Sequence, residues 1–373
     1  MFAEPSVRLE AVLPDAAKQW KIRFVTKQRD FHRTTTMVRW ESRFSCCGKR
    51  KSDRYWQKED MLMKIIMELL LLALGFGMLV KGADWFVEGS SGIADRFGVP
   101  QLVIGLTIVA MGTSAPEAAV SITAALKGNA EITIGNIVGS NILNILIILG
   151  ITSAIVTLAV AKSTVRIEIP YMIFITAVLL LAGFSGSMVS RGEGALLWIL
   201  FLIYLAYLLY MAMSGRQDNV DAQELQPLWK LFAGAVIGLV LVVAGSDVTV
   251  DAATAIAKII GMSERFIGLT IVALGTSLPE LFTSVSAALK GKADIAIGNI
   301  VGSNIFNILF VVGTTALITP VSFQPGFRVD TFVAIGAALL LLLGTVRNQK
   351  LTRKTGILML LCYAGYFAWL LNS

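Results

Sequence analysis

Residues 105–146 and 268–309 of this 373-residue chain are near copies of one another. The first reads GLTIVAMGTSAPEAAVSITAALKGNAEITIGNIVGSNILNIL, the second GLTIVALGTSLPELFTSVSAALKGKADIAIGNIVGSNIFNIL, and they align without a gap at an offset of 163 with 31 of 42 positions identical. The same offset pairs Gly82 with Gly245 and Asp84 with Asp247, so the repeat reaches upstream. A chain built this way folds as two equivalent halves, and whatever chemistry the repeated segment carries is present twice.

The medium in which the halves fold follows from their apolar content. Only 15% of residues are charged and 55% are hydrophobic, with a mean hydropathy of +0.73; soluble domains carry about a quarter charged residues. The chain is an all-α membrane protein on this reading, with ten spans at roughly 64–82, 100–126, 132–160, 168–187, 194–213, 229–257, 264–290, 295–319, 329–345 and 355–371. The expected organisation is an extension over 1–63, a first five-helix half over 64–213, a polar linker over 214–228 and a second half over 229–373. Five is odd, so the second half enters the membrane from the opposite side. Such an inverted repeat is a common construction of secondary transporters, with the substrate site at the midplane where the halves meet.

Twelve Lys and Arg residues fall in the loops of one face and five in those of the other, which places the midpoint linker in the cytoplasm and both ends of the helical core outside. The first sixty residues conflict with that orientation, because they hold 14 Lys and Arg against 8 Asp and Glu. Either the true start is Met61, Met63 or Met67, which is the reading favoured here, or the orientation is reversed. Apart from this tail the chain is near neutral, which argues against a nucleic-acid partner. His32 sits in the same charged stretch, and Cys46, Cys47 and Cys362 have no metal or disulfide spacing.

Each copy sets Gly-Thr-Ser-x-Pro-Glu inside an apolar span, at Gly112–Glu117 and Gly275–Glu280. Pro116 and Pro279 cannot donate, so the carbonyls of Gly112 and Gly275 lose their helical partners. A carboxylate in the membrane interior costs at least about 2.5–3.5 kcal/mol, and two at matched positions need a shared reason. Thr113, Ser114 and Glu117 share one helical face, as do Thr276, Ser277 and Glu280. The second part of each copy lays an Asn/Ser stripe along a helix: Asn136, Ser140, Asn141 and Asn144, then Asn299, Ser303, Asn304 and Asn307. For Asn136, Asn141, Asn299 and Asn304, interhelical hydrogen bonding competes evenly with an ion-ligand role. Gly135, Gly139, Gly298 and Gly302 serve close helix approach. Asp84, Glu88, Asp247 and Asp251 lie near span ends, where solvated or capping roles are the default. The donors of the repeat are all oxygen, a palette for hard cations such as calcium and sodium, and two carboxylates balance one divalent ion.

These paired motifs resemble the alpha repeats of the sodium/calcium exchanger family, within the calcium/cation antiporter superfamily, over about residues 64–371. The resemblance implies ten helices in two inverted halves and alternating access, with sodium exchanged for calcium at the cell membrane. It carries the family's ion ligands onto Glu117, Glu280, Thr113, Ser114, Ser140 and Asn144, and onto Thr276, Ser277, Ser303 and Asn307. Backbone contacts fall at Ala110 and Ala273, and Glu117, Glu280, Thr113 and Thr276 are the positions for calcium. Some relatives, potassium-dependent exchangers among them, carry Asp where this chain has Asn307, so weak or no potassium coupling is expected. The reading implies no cofactor beyond the transported ions, no partner beyond those ions and membrane lipid, and no enzymatic activity, since no nucleophile–base or metal constellation is present. Two alternatives remain: an antiporter coupling calcium or another cation to protons, and a cation channel.

Overall fold

The computed structural model describes residues 34–214, 226–262, 271 and 273–372, with side chains from Leu62 on and without that of Ala273. The tail with His32, Cys46 and Cys47, most of the linker, and the start of the second copy lie outside the described residues. The chain divides into a first unit, Met1–Lys64, and a second, Ile65–Ser373, which holds the repeat.

Helix α1, Thr34–Phe97, is long and apolar enough to cross a bilayer over Leu62–Phe97. Next come α2 (Gln101–Thr113) and α3 (Ala115–Leu126), a broken span bent by 49° at Ser114. The rest of the first half is α4 (Ile132–Ile155), α5 (Thr164–Gly186) and α6 (Arg191–Ser214). In the second half, α7 (Leu228–Ile259) is followed by a short turn Ala273–Gly275, α8 (Leu278–Leu289), α9 (Ala293–Ile318), α10 (Pro325–Val346) and α11 (Arg353–Asn372). Among the described residues eight helices are long and apolar enough to span, or nine with the bent pair. The ten-span expectation differs by the seventh, 264–290, of which only the part from the turn through α8 and an isolated Ile271 is described.

Two short strand pairs fix the relation of the halves. β1 (Leu158–Ala159) pairs antiparallel with β4 (Lys350–Leu351), and β2 (Met188–Val189) with β3 (Val321–Ser322). The offset of 163 makes β1 the counterpart of β3 and β2 that of β4. β1 and β2 lie at opposite ends of α5, whose 23 residues span about 34 Å. Since β3 sits beside β2, the counterparts β1 and β3 lie on opposite faces of the membrane. The halves are therefore inverted, as the odd span count requires.

The core forms where the repeated segments meet. α4 and α9 are the most buried spans, while α1 and α11 present most of their surface outward. The glycines of α9 serve the close approach expected of them. A Cβ on Gly302 would come within 2.8 Å of the Leu106 backbone, and one on Gly298 within 3.1 Å of that of Gly105, so α9 lies directly against α2. Their counterparts differ: Gly135 faces the Phe327 ring, and a Cβ on Gly139 meets nothing among the described residues. α1 and α7 also cross through paired glycines, Gly82 against the carbonyl of Gly238 and Gly245 against that of Gly75.

Candidate ion-binding site

The proline motif breaks the span where the sequence places it. Ser114 leaves helical geometry at φ −82°, ψ 7° and Pro116 opens α3. Ser277 does the same at φ −93°, ψ 3°, and Pro279 opens α8. Glu117 and Glu280 thus sit in the first turns of two helices, where free N–H groups and the helix dipole favour a carboxylate. Both are fully buried and near enough to interact with each other.

The partners of each glutamate come largely from the other half. α3 packs against a π-helical turn at Asn307–Val312, and α8 against the equivalent turn at Asn144–Leu149. Ser114 Oγ donates to Glu280 Oε1 at 2.8 Å, and Thr113 Oγ1 to Asn299 Oδ1 at 2.9 Å. Ser303 Oγ donates to the Ala110 carbonyl at 3.3 Å. Thr276 and Ser277 face Glu117 without a well-formed bond. Ser140 is buried on the stripe of α4. Ala273 begins its turn, and its side chain lies outside the described residues.

The asparagines divide into two classes. Asn141 Nδ2 donates to the Asn304 carbonyl and Asn304 Nδ2 to the Asn141 carbonyl, each at 3.2 Å. Asn144 Nδ2 reaches Asn304 Oδ1 at 2.9 Å, and Asn307 Nδ2 reaches Asn141 Oδ1 at 3.1 Å. Asn136 and Asn299 make matched bonds to Ser121 and Ser284, both at 3.0 Å. This reciprocity is that of a two-fold axis running between the halves. Asn136, Asn141, Asn299 and Asn304 thus all make interhelical or interhalf hydrogen bonds, the packing role that sequence weighed evenly against a ligand role.

Six buried oxygens are left without a hydrogen-bond partner: both of Glu117, Oε2 of Glu280, Oδ1 of Asn144 and of Asn307, and Oγ of Ser277. Leaving one such group unpaired costs about 1–3 kcal/mol, and more when it is charged. Three of them belong to the carboxylate pair and three to Asn144, Asn307 and Ser277 on the repeated segments, and a donor or a cation would satisfy them. All are oxygen donors, as hard cations take, and the formal charge of −2 balances a divalent ion.

Two features escape the sequence. Ser246 Oγ donates to the Gly275 carbonyl at 2.6 Å, satisfying the acceptor that Pro279 frees. Its counterpart is Ala83, so the repeat gives no signal for it, and Gly112 has no matching hydroxyl. Asp84 also has more than a solvated or capping role, and Glu88, though exposed, shares its partner. Lys290 Nζ lies 3.2 Å from Asp84 Oδ1, 2.8 Å from Glu88 Oε1 and 3.0 Å from the Asp84 carbonyl. Ser286 Oγ donates to Asp84 at 2.7 Å, and Lys292 donates to Ser91. This cluster latches α1 to the end of α8.

Residues 67–210 and 230–372 match the family described as sodium/calcium exchanger protein, each stretch covering one half. The chain belongs to the sodium/calcium exchanger family. The exchanger is 40% identical over 322 residues to the putative antiporter CaxA of Alkalimonas amylolytica, covering 83% of this chain and all of that one. It is 33% identical over 342 residues to the sodium/calcium exchanger MaX1 of Methanosarcina acetivorans, covering 81% and 98%. Among solved structures it is similar to the sodium-calcium exchanger NCX_Mj, with a TM-score of 0.73 and 33% identity over 82% of this chain and 99% of that one. It is thus a multi-pass, all-helical membrane antiporter of a transporter family.

Proposed function

We propose that this exchanger moves Ca2+ in one direction and Na+ in the other, through a single site made by Glu117 and Glu280 with Thr113, Ser114, Ser140, Asn144, Thr276, Ser277, Ser303 and Asn307. The carrying observation is the set of six buried, unpartnered oxygens drawn from both halves. A divalent ion satisfies two carboxylates at once, and monovalent ions can share the same oxygens when it leaves. Mutual exclusion at one set of ligands is a physical basis for exchange. The cell membrane is the expected location, with the linker on the cytoplasmic face. Proton coupling is the second reading, since a proton could replace sodium on a buried carboxylate. Calcium-45 uptake by reconstituted vesicles under imposed sodium or proton gradients tests the proposal. Uptake driven by a proton gradient and indifferent to sodium would overturn it.

Alternating access draws support from an asymmetry between the halves. The offset of 163 turns Lys290, Asp84, Glu88, Ser286, Lys292 and Ser91 into Lys127, Asp247, Asp251, Thr123, Asn129 and Thr254. Position by position the second set retains the chemistry of a latch: a lysine, two carboxylates, hydroxyls and an amide. It is not closed, for Lys127, Asp247 and Asp251 are exposed and make no ion pair among the described residues, and the Thr254 hydroxyl is unpartnered. One latch closed and its inverted counterpart open is the arrangement of a carrier resting in one of two mirror states. The opposite state closes the Lys127 latch and opens that of Lys290.

A further inference from the structure

A third fully buried carboxylate lies inside a span, outside the segments 105–146 and 268–309. Glu168 is 0% exposed, at the end of a π-helical turn, Thr164–Glu168, that opens α5. Tyr207 on α6 donates to its Oε1 in a short hydrogen bond, and Oε2 has no partner. Two further buried oxygens stand unpartnered beside it: the hydroxyl of Thr164, one turn earlier, and that of Tyr204, which stacks on Tyr171 with ring centroids 5.7 Å apart. No cation balances the carboxylate among the described residues. Lys162 and Arg166 near its turn are exposed, as is Arg347 past the end of α10, and Tyr171, Tyr204 and Tyr207 are the other titratable groups around it. The two-fold gives no counterpart: Thr331 stands where Glu168 would be, and Phe367 and Leu370 where Tyr204 and Tyr207 would be. The cluster is therefore not a relic of the repeat. An ionisable residue kept at such a depth is a functional group by default.

We propose that Glu168, Thr164, Tyr204 and Tyr207 form a second cation site in the first half, taking one monovalent charge. One carboxylate balances one such charge, and the carboxylate and hydroxyl oxygens suit either a sodium ion or a proton. The site lies about 9 Å of helix inward from Lys162, so its ion exchanges with the face that carries β1 and β4 without passing Glu117 or Glu280.

The test uses the full-length chain in vesicles, with Glu168→Gln, an isosteric change that removes the charge. Sodium-22 binding at saturation without calcium, and the pH profile of calcium-45 uptake, are measured beside wild type. Loss of one sodium per chain identifies the ion as sodium; unchanged sodium stoichiometry with a shifted pH profile identifies it as a proton. Calcium binding is retained in both cases, which keeps this result separate from any failure of the Glu117/Glu280 reading. Glu168→Gln matching wild type in both measurements overturns the proposal. Thr164→Val covers the case in which the glutamine variant does not fold. A purely structural cluster predicts a change in stability alone, with sodium binding and the pH profile of wild type. A ligand role predicts about tenfold weaker sodium binding or a displaced pH profile, and neither change would equally overturn the proposal.

Discussion

Replacing Lys290 by Met removes the ion pairs of the closed latch while leaving its open counterpart intact. Lys290 is 24% exposed and Asp84 34%, so this pair is partly desolvated, whereas Glu88 at 64% adds little. A charge-assisted hydrogen bond contributes about 1.5–3 kcal/mol when buried, and exposed ion pairs about 0–1 kcal/mol. The partial exposure places the latch at about 1–2 kcal/mol. Since 1.4 kcal/mol is a factor of ten, Lys290→Met shifts the balance between the two access states by about five- to thirtyfold toward the one in which Lys127 engages Asp247 and Asp251. Hydrogen–deuterium exchange on the reconstituted chain reads both ends at once. Residues 84–91 and 286–292 should exchange faster in Lys290→Met, and 123–129 and 247–254 more slowly. Lys127→Met should move the four segments the other way. Shifts of the same sign in both variants, or protection unchanged at the far latch, would refute the idea that one latch closes as the other opens.

Three further outcomes follow from the site. Glu117→Gln and Glu280→Gln should each abolish sodium-driven calcium-45 uptake while the chain still folds. Each should also remove the thermal stabilisation by calcium, about 2.7 kcal/mol at a hundredfold excess over Kd; transport retained in either variant rules out the carboxylate pair. Ser246→Ala leaves the Gly275 carbonyl without its donor and should cost about 1–3 kcal/mol of stability in thermal unfolding, whereas Ala83→Ser offers Gly112 a donor and should not destabilise. Wild-type calcium uptake into sodium-loaded vesicles should be indifferent to potassium, and Asn307→Asp, which takes the formal charge from −2 to −3, should introduce a monovalent-cation dependence. Strict potassium dependence in wild type would contradict the neutral role given to Asn307.

Much of this was legible because the repeat supplies its own control. Glu117 and Glu280 stand out as charges in apolar spans at matched positions, and the two prolines locate the breaks without a structure. Inversion followed from an odd span count and is visible in the crossing of the strand pairs. What stayed hidden depends on contacts between distant segments. Sequence assigns the same stripe to Asn141 and Asn144, and only the reciprocal bonds across the two-fold separate the packing amide from the one with a free oxygen. Asp84 read as a span-end residue because its partner, Lys290, lies 206 positions away. Ser246 and Glu168 broke the repeat, and a method that looks for matched pairs passes over groups that occur once.

The reciprocal bonds between Asn141 and Asn304 carry a consequence for assembly. Each half offers the other the same surface, so the geometry that joins them does not depend on the peptide chain between them. The linker acts as a tether that raises effective concentration. Two separate polypeptides, cut within residues 214–228 and inserted with opposite orientations, would meet through the same asparagines and the same strand pairs. A single substitution at this joint is felt by two bonds, because the Asn141 side chain donates to the Asn304 carbonyl and accepts from Asn307, and that of Asn304 donates to the Asn141 carbonyl and accepts from Asn144.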